Sequence, residues 1–276
     1  MAQASRPLAG RRIVVTRARE QAGDLAQALA ALGADVVTAP TIRIEPLADL
    51  APLRAALADL TRYQWIVFTS QNTVRVVCDR LPEWGVSPQV LTRIPVAAIG
   101  PATAEALAQR GVTVALVPAR FVAEAVVEEM VRRGDVAGKR ILVPRALEAR
   151  DALPEGLRAR GAVVDVIPVY RTVGEGGEGG GRDGSALAAE IMAGRIDVVT
   201  FTSSSTVRHF VDLVGPEAAR SGRYAAAVIG PVTAETARAF GVGGRVLEAD
   251  EYTVPGLVGA LVRHFTRDAG SGMREA

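Results

Sequence analysis

Residues 97–107 read AAIGPATAEAL, and residues 227–237 read AVIGPVTAETA. In both, a short apolar run ends in Gly-Pro and an Ala/Glu-rich helical stretch begins at once. Proline suits the first turn of a helix, where its missing N–H has no intrahelical acceptor to lose. Pro101 and Pro231 therefore mark two equivalent strand-to-helix turns. Further out, FTSQNTVR (68–75) returns as FTSSSTVR (201–208), and RIVVTRARE (12–20) returns as RILVPRALE (140–148). The offsets are 130, 133 and 128 residues. Three matches in one order at nearly constant spacing make the chain two copies of one architecture.

Each copy has the same local grammar. The runs at 13–15, 65–68, 96–99, 141–143 and 198–201 are short, largely apolar and rich in β-branched residues, as strands buried on both faces of a parallel sheet are. A Thr, Ser, Gly or Pro turn follows each, then a helix. Gly33, Gly111 and Gly161 stop helices just before the next strand. Strand alternating with helix predicts an α/β fold, doubly wound, with about five parallel strands in each half. Two cuts into domains are open. One falls near Gly134-Asp135 and gives tandem units. The other uses the extended stretches 39–46 and 167–172 as crossings, so that the middle of the chain forms one domain and its two ends form the other. The run GEGGEGGGRDG (174–184) cannot build a core, and is expected to be a flexible solvated loop.

The 276 residues favour two domains, and 49% hydrophobic with 22% charged residues excludes general disorder. Lys+Arg 32 against Asp+Glu 30 leaves +2, and aromatics are 4%, a poor composition for coating or stacking on nucleic acid. With one cysteine and two histidines, no disulfide, multi-cysteine metal centre or His-rich metal site is expected. Cys78 reads as a small core residue. The opening MAQASRPLAGRR has no apolar leader segment, and no run of 18 apolar residues occurs, so a soluble, cytoplasmic protein without a membrane span is expected.

In open parallel sheets, ligands bind beyond the carboxyl ends of the strands, against helix N-termini. The turns there contain Thr16-Arg17, Ser70 to Asn72, Thr103, Pro144-Arg145, Ser203 and Thr233. Hydroxyls, amides, backbone N–H groups and two arginines suit carboxylates or phosphates spread over a large surface. None of the turns is GxGxxG or a P-loop, so no nucleotide is expected. Ser and Thr at helix starts also cap orphan N–H groups in any protein, which accounts for Ser70, Ser203 and Thr103 as readily. A structural ion pair is the parallel alternative for Arg17 and Arg145.

The FTS turns, the repeated GPxT, the VTRA and VPRA turns and the stretch PVYRT (168–172) together resemble the uroporphyrinogen-III synthase family, from about Arg11 to Phe265. The resemblance implies two flavodoxin-like domains joined by a pair of extended linkers, with a cleft between them. It favours the second cut: 1–40 plus 172–276, and 45–168, with linkers at 41–44 and 169–171. It implies a cyclising lyase that closes the linear tetrapyrrole hydroxymethylbilane to uroporphyrinogen III, inverting ring D and losing water, in porphyrin biosynthesis. It implies no cofactor, no nucleic acid or membrane partner, a monomer, and a handover of substrate from the upstream bilane-forming enzyme. Carried over position by position, Tyr170 is the catalytic candidate, and Thr103, Thr233, Ser70, Asn72 and Ser203 are substrate-binding, joined by Arg17 and Arg145. Two other classes would also show a repeat: a two-domain transferase, which should carry a phosphate loop, and a two-lobed non-enzymatic binding protein.

Overall fold

The computed structural model describes residues 6–175 and 184–271. The glycine-rich stretch expected to be a loop lies, for 176–183, outside the described residues. The first elements are β1 (Arg12–Val15), α1 (Arg19–Ala31), β2 (Asp35–Thr38), β3 (Ile42–Pro46), α2 (Ala51–Ala58), β4 (Trp65–Phe68), α3 (Gln71–Arg80), β5 (Val96–Ala98), α4 (Pro101–Ala108) and α5 (Ala123–Arg132). They are followed by β6 (Arg140–Ala146), α6 (Ala152–Arg158), β7 (Val163–Gly174), α7 (Gly184–Met192), β8 (Val198–Phe201), α8 (Ser204–Ala219), β9 (Ala225–Val228), α9 (Pro231–Phe240), β10 (Arg245–Glu248) and α10 (Val254–Ser271).

Two sheets of five strands result, in the orders β10-β9-β8-β1-β2 and β3-β7-β6-β4-β5. The pairs β2-β1-β8-β9-β10 and β5-β4-β6-β7 are parallel throughout. The chain divides into two compact units, one made by the chain up to Arg43 and from Val173 onward, the other by Ile44–Thr172. The α/β class and the five strands in each half are as the sequence pattern predicts.

Laid over these orders, the sequence repeat shows how the sheets are assembled. β1 matches β6, β8 matches β4 and β9 matches β5, so β9-β8-β1-β2 in one sheet reads as β5-β4-β6-β7 in the other. Even the place of β10 has a counterpart, a single parallel bridge from Ala97 to Leu116 beside β5. Each sheet takes strands from both copies: the first two strands of copy one pair with the last three of copy two, and the reverse. β3 then occupies the edge beyond β7.

Side-chain alternation distributes the cores. Val14 faces a cluster with Val199, Phe201, Phe210 and Tyr224, whereas Ile13 and Val15 face Leu25, Leu29, Leu257 and Leu261 on the other side of the sheet. In the second unit Trp65, Val67, Ile141 and Val143 pack on Val126, Met130 and Leu157. Gly33, Gly111 and Gly161 end their helices at φ of 94°, 71° and 88°, the left-handed region where a Cβ is costly.

Cys78 is buried on α3 as the sequence predicts, and that burial pushes its thiol up from 9.0 to about 11. Because the folded protein holds the proton more tightly, the stability this thiol contributes is complete below pH 9 and is lost as pH rises through about 11. Cys78→Ala is expected to flatten the fall of the thermal midpoint between pH 9 and 11. An unchanged slope in a pH series of melts would remove this thiol as a cause.

Candidate active site

In the unit Ile44–Thr172, β4 runs into α3 through Thr69-Ser70. Ser70 is extended (φ −160°, ψ 153°) and caps the helix, its Oγ accepting from the Thr73 N–H at 3.1 Å. The same Oγ lies 3.0 Å from Thr73 Oγ1 and 3.1 Å from the Tyr170 hydroxyl. The serine that caps the helix is thus also a hydrogen-bond partner of the Tyr170 phenol. Asn72 also hydrogen-bonds the phenol.

Tyr170 reaches this position through an irregularity of β7. Arg145 pairs with Pro168, but Ala146 pairs with Tyr170, so Val169 is an extra residue in the middle of β7, opposite the carboxyl end of β6. Such a bulge re-aims the side chains that follow it. Val169 and Tyr170 are both buried, which strict alternation would not allow in a half-exposed strand. Burial raises the phenol's pKa above its ordinary value, and the hydrogen bonds from Ser70, Thr73 and Asn72 pull it back down. The group is protonated at neutral pH, with three partners placed to stabilise the phenolate.

Thr103 is buried in the first turn of α4, whose N-cap is Gly100. A Cβ at Gly100 would come within 3.2 Å of the Phe121 side chain, so the glycine admits an aromatic residue against the turn. In the other unit Thr233 is buried in the first turn of α9, whose N-cap is Gly230, and a Cβ there would meet the Tyr252 ring at 3.0 Å. Neither turn has a side-chain cap. Phe121 and Tyr252 are the residues that the sequence reading missed. They stand 131 positions apart, within the spread of the repeat offsets, and that spacing is the signal that could have found them.

Ser203, counterpart of Ser70, closes a capping box with Thr206 and shares a 2.8 Å hydrogen bond with Ser205 Oγ. Among the described residues its side-chain partners lie within its own helix start. The two arginines, alike in sequence, differ in surroundings. Arg145 donates to the Arg150 carbonyl at 3.1 Å and pairs with Asp151 at 2.8 Å. Arg17 is 6% exposed and pairs with no carboxylate among the described residues, while the Nε of both arginines is buried without a hydrogen-bond partner. Among the described residues no group of three or more His, Cys, Asp or Glu could hold a metal ion, and no helix is long and apolar enough to cross a membrane.

These features define a class: a doubly wound α/β protein built twice over, with hydroxyls and guanidiniums at the strand ends in place of a phosphate loop. Residues 23–259 match the family described as Uroporphyrinogen-III synthase HemD, and the chain belongs to the uroporphyrinogen-III synthase family. It is 34% identical to a uroporphyrinogen-III synthase of Synechococcus elongatus, over 94% of this chain and 97% of that one. Identity is 28% to a putative uroporphyrinogen-III synthase of Methanothermobacter thermautotrophicus, over 93% and 99%. Among solved structures, a mutant uroporphyrinogen III synthase of Thermus thermophilus superposes with a TM-score of 0.61 at 17% identity, over 94% of this chain and all of that one. A uroporphyrinogen-III synthetase of Helicobacter pylori gives 0.60 at 19%, over 92% and 99%. At these identities the two structures attest the fold.

Proposed function

We propose that Tyr170 gives the proton with which the terminal hydroxyl of hydroxymethylbilane leaves as water, in the reaction of this family. The chain is a cyclising lyase of porphyrin biosynthesis, and it closes that linear tetrapyrrole to uroporphyrinogen III. Departure of water leaves an azafulvene cation. Ring D attacks it through its substituted carbon, passes a spiro intermediate and closes inverted, and the proton lost on rearomatisation restores the phenol. The observation that carries the role is the buried phenol of Tyr170, its hydroxyl 3.1 Å from Ser70 Oγ.

The remaining residues hold the substrate's acetate and propionate groups. Thr103 and Thr233 offer hydroxyls at the two bare helix starts, while Ser70, Asn72 and Ser203 line the FTS turns. Arg17 and Arg145 are counted with them, although Arg145 would have to release Asp151 to take part. The same reading takes 41–44 and 169–171 as linkers, with 1–40 plus 172–276 and 45–168 as the domains. It places the protein in the cytoplasm as a monomer that receives its substrate from the bilane-forming enzyme.

The assay needs only hydroxymethylbilane, with type III and type I products resolved chromatographically after oxidation. Absence of type III from the native protein would overturn the assignment. Thr103→Ala and Thr233→Ala each remove one neutral hydrogen bond, worth about 1 kcal/mol. Each is expected to lower kcat/KM about fivefold, and a variant indistinguishable from native would take its threonine out of the site.

A further inference from the structure

Arg17 is a buried cation whose counter-charge is missing from the described residues. It is 6% exposed, makes no hydrogen bond or ion pair among them, and has an Nε sealed from water without an acceptor. Burying an unpaired charge is strongly unfavourable. The position makes this worse. Arg17 immediately precedes Ala18, the N-cap of the 13-residue helix α1, so a cationic residue stands next to the positive end of the helix dipole. Ala18 gives that helix start no side-chain cap, unlike Ser70 and Ser203 at the starts of α3 and α8. Glu20 is exposed in the first turn of α1. Asp24, a turn further on, attracts the guanidinium without pairing with it.

The repeat supplies an internal comparison. Arg145 occupies the same place after β6 that Arg17 occupies after β1, and its Nη2 holds the carboxylate of Asp151 at 2.8 Å. In the second copy the turn is longer, with α6 beginning at Ala152, and the extra residues bring a carboxylate to the arginine. In the first copy α1 begins at Arg19, two residues past Arg17, and no carboxylate is brought. Arg145 therefore shows which group this position takes.

We infer that Arg17 and the uncapped start of α1 form a built site for one carboxylate among the substrate's acetate and propionate groups, and that the other copy has filled the equivalent site with its own Asp151. This rests on the proposed reaction and names the anchor within it. An exogenous carboxylate would supply the counter-charge that the guanidinium lacks, and an acceptor beside the bare start of α1. Burial, partly offset by Asp24, also lowers the guanidinium's pKa, as for a cation kept from water and counter-charge alike. As a group that binds a carboxylate, Arg17 positions substrate and is not itself a catalytic residue.

The test is Arg17→Met, which keeps much of the side-chain volume and removes the charge. Without ligand its thermal midpoint is expected to equal or exceed that of the native protein, because a buried unpaired cation has gone. Arg145→Met, which strands Asp151 and the Arg150 carbonyl, is expected to lower it. With hydroxymethylbilane, Arg17→Met should raise KM about 10–100-fold, the range for a hydrogen bond to a charged group, and change kcat less than about threefold. Arg17→Lys should recover part of the loss. The non-reacting octacarboxylate uroporphyrin III is the second probe: it should raise the thermal midpoint of the native chain and raise that of Arg17→Met markedly less. An Arg17→Met chain that melts earlier than native, or one with native KM and a native response to uroporphyrin, would overturn the site. The uroporphyrin comparison needs no turnover, so the anchor stands or falls separately from the reaction.

Discussion

Tyr170→Phe is expected to fold normally and to make uroporphyrinogen III about 10²–10⁴-fold more slowly, the usual worth of a positioned general acid. Phenylalanine keeps the ring that β7 buries, and Ser70 Oγ retains both of its contacts to Thr73. The stability cost is thus that of one lost neutral hydrogen bond, about 1 kcal/mol, against a typical total of about 5–15. Loss should fall on kcat, with KM nearly unchanged, because the phenol is required when the hydroxyl departs. The raised pKa adds a pH signature. A donor whose pKa lies above 10.0 stays competent into alkaline solution, so the native rate should decline only beyond pH 10, and the variant should lack that limb. Isomer-resolved chromatography reads the outcome. Near-native type III production by Tyr170→Phe would remove the proton-donor role.

The second large effect concerns stability. Phe210 is wholly buried on α8 and meets Phe201 edge-on at 5.2 Å and Tyr224 edge-on at 6.0 Å. Tyr224 is held in turn by its hydroxyl, which donates to the Ala219 carbonyl at 2.7 Å. Phe210→Ala removes the middle ring of this buried aromatic trio, at about 3–5 kcal/mol. That cost falls on the unit made by the two chain ends. Both tryptophans, Trp65 and Trp84, lie in the other unit, Ile44–Thr172. In a denaturant titration the helical signal should begin to fall at lower concentration while tryptophan emission holds its native midpoint. A common shift of both signals would show that the units unfold as one.

The elements were largely legible because their causes are local. Apolar runs, Gly-Pro turns and glycine stops each decide a few residues, and the repeat checks one copy against the other. Strand partnership is different. A tandem match is blind to which copy a strand pairs with, and only the sheet orders show that β1 lies beside β8 and β6 beside β4. The site divides in the same way. PVYRT pointed to Tyr170 through a family likeness, but the contact with Ser70 depends on a bulge at Val169 that no pattern of alternation announces. Arg17 and Arg145 looked equivalent, since VTRA and VPRA differ little. What separates them is the length of the turn that follows and the reach of Asp151. Phe121 and Tyr252 escaped notice because an aromatic ring against a glycine is a contact in space.

The crosswise strand order also sets a sequence of events during synthesis. Once Thr172 has been made, the sheet β3-β7-β6-β4-β5 has essentially all its strands, so Ile44–Thr172 can collapse while the rest of the chain is still to come. β1 and β2 have no such option. Ile13 must wait for Val198, about 185 positions later, and closing so long a loop in an unfolded chain is slow. A folded middle section changes the distance to be searched, because Leu47 N–H bonded to the Val169 carbonyl brings its entering and leaving strands side by side. The effective loop shrinks to roughly 55 residues, which lowers the closure entropy by about 1 kcal/mol. The inserted unit acts as a template for the late one, and the two chain ends mature last.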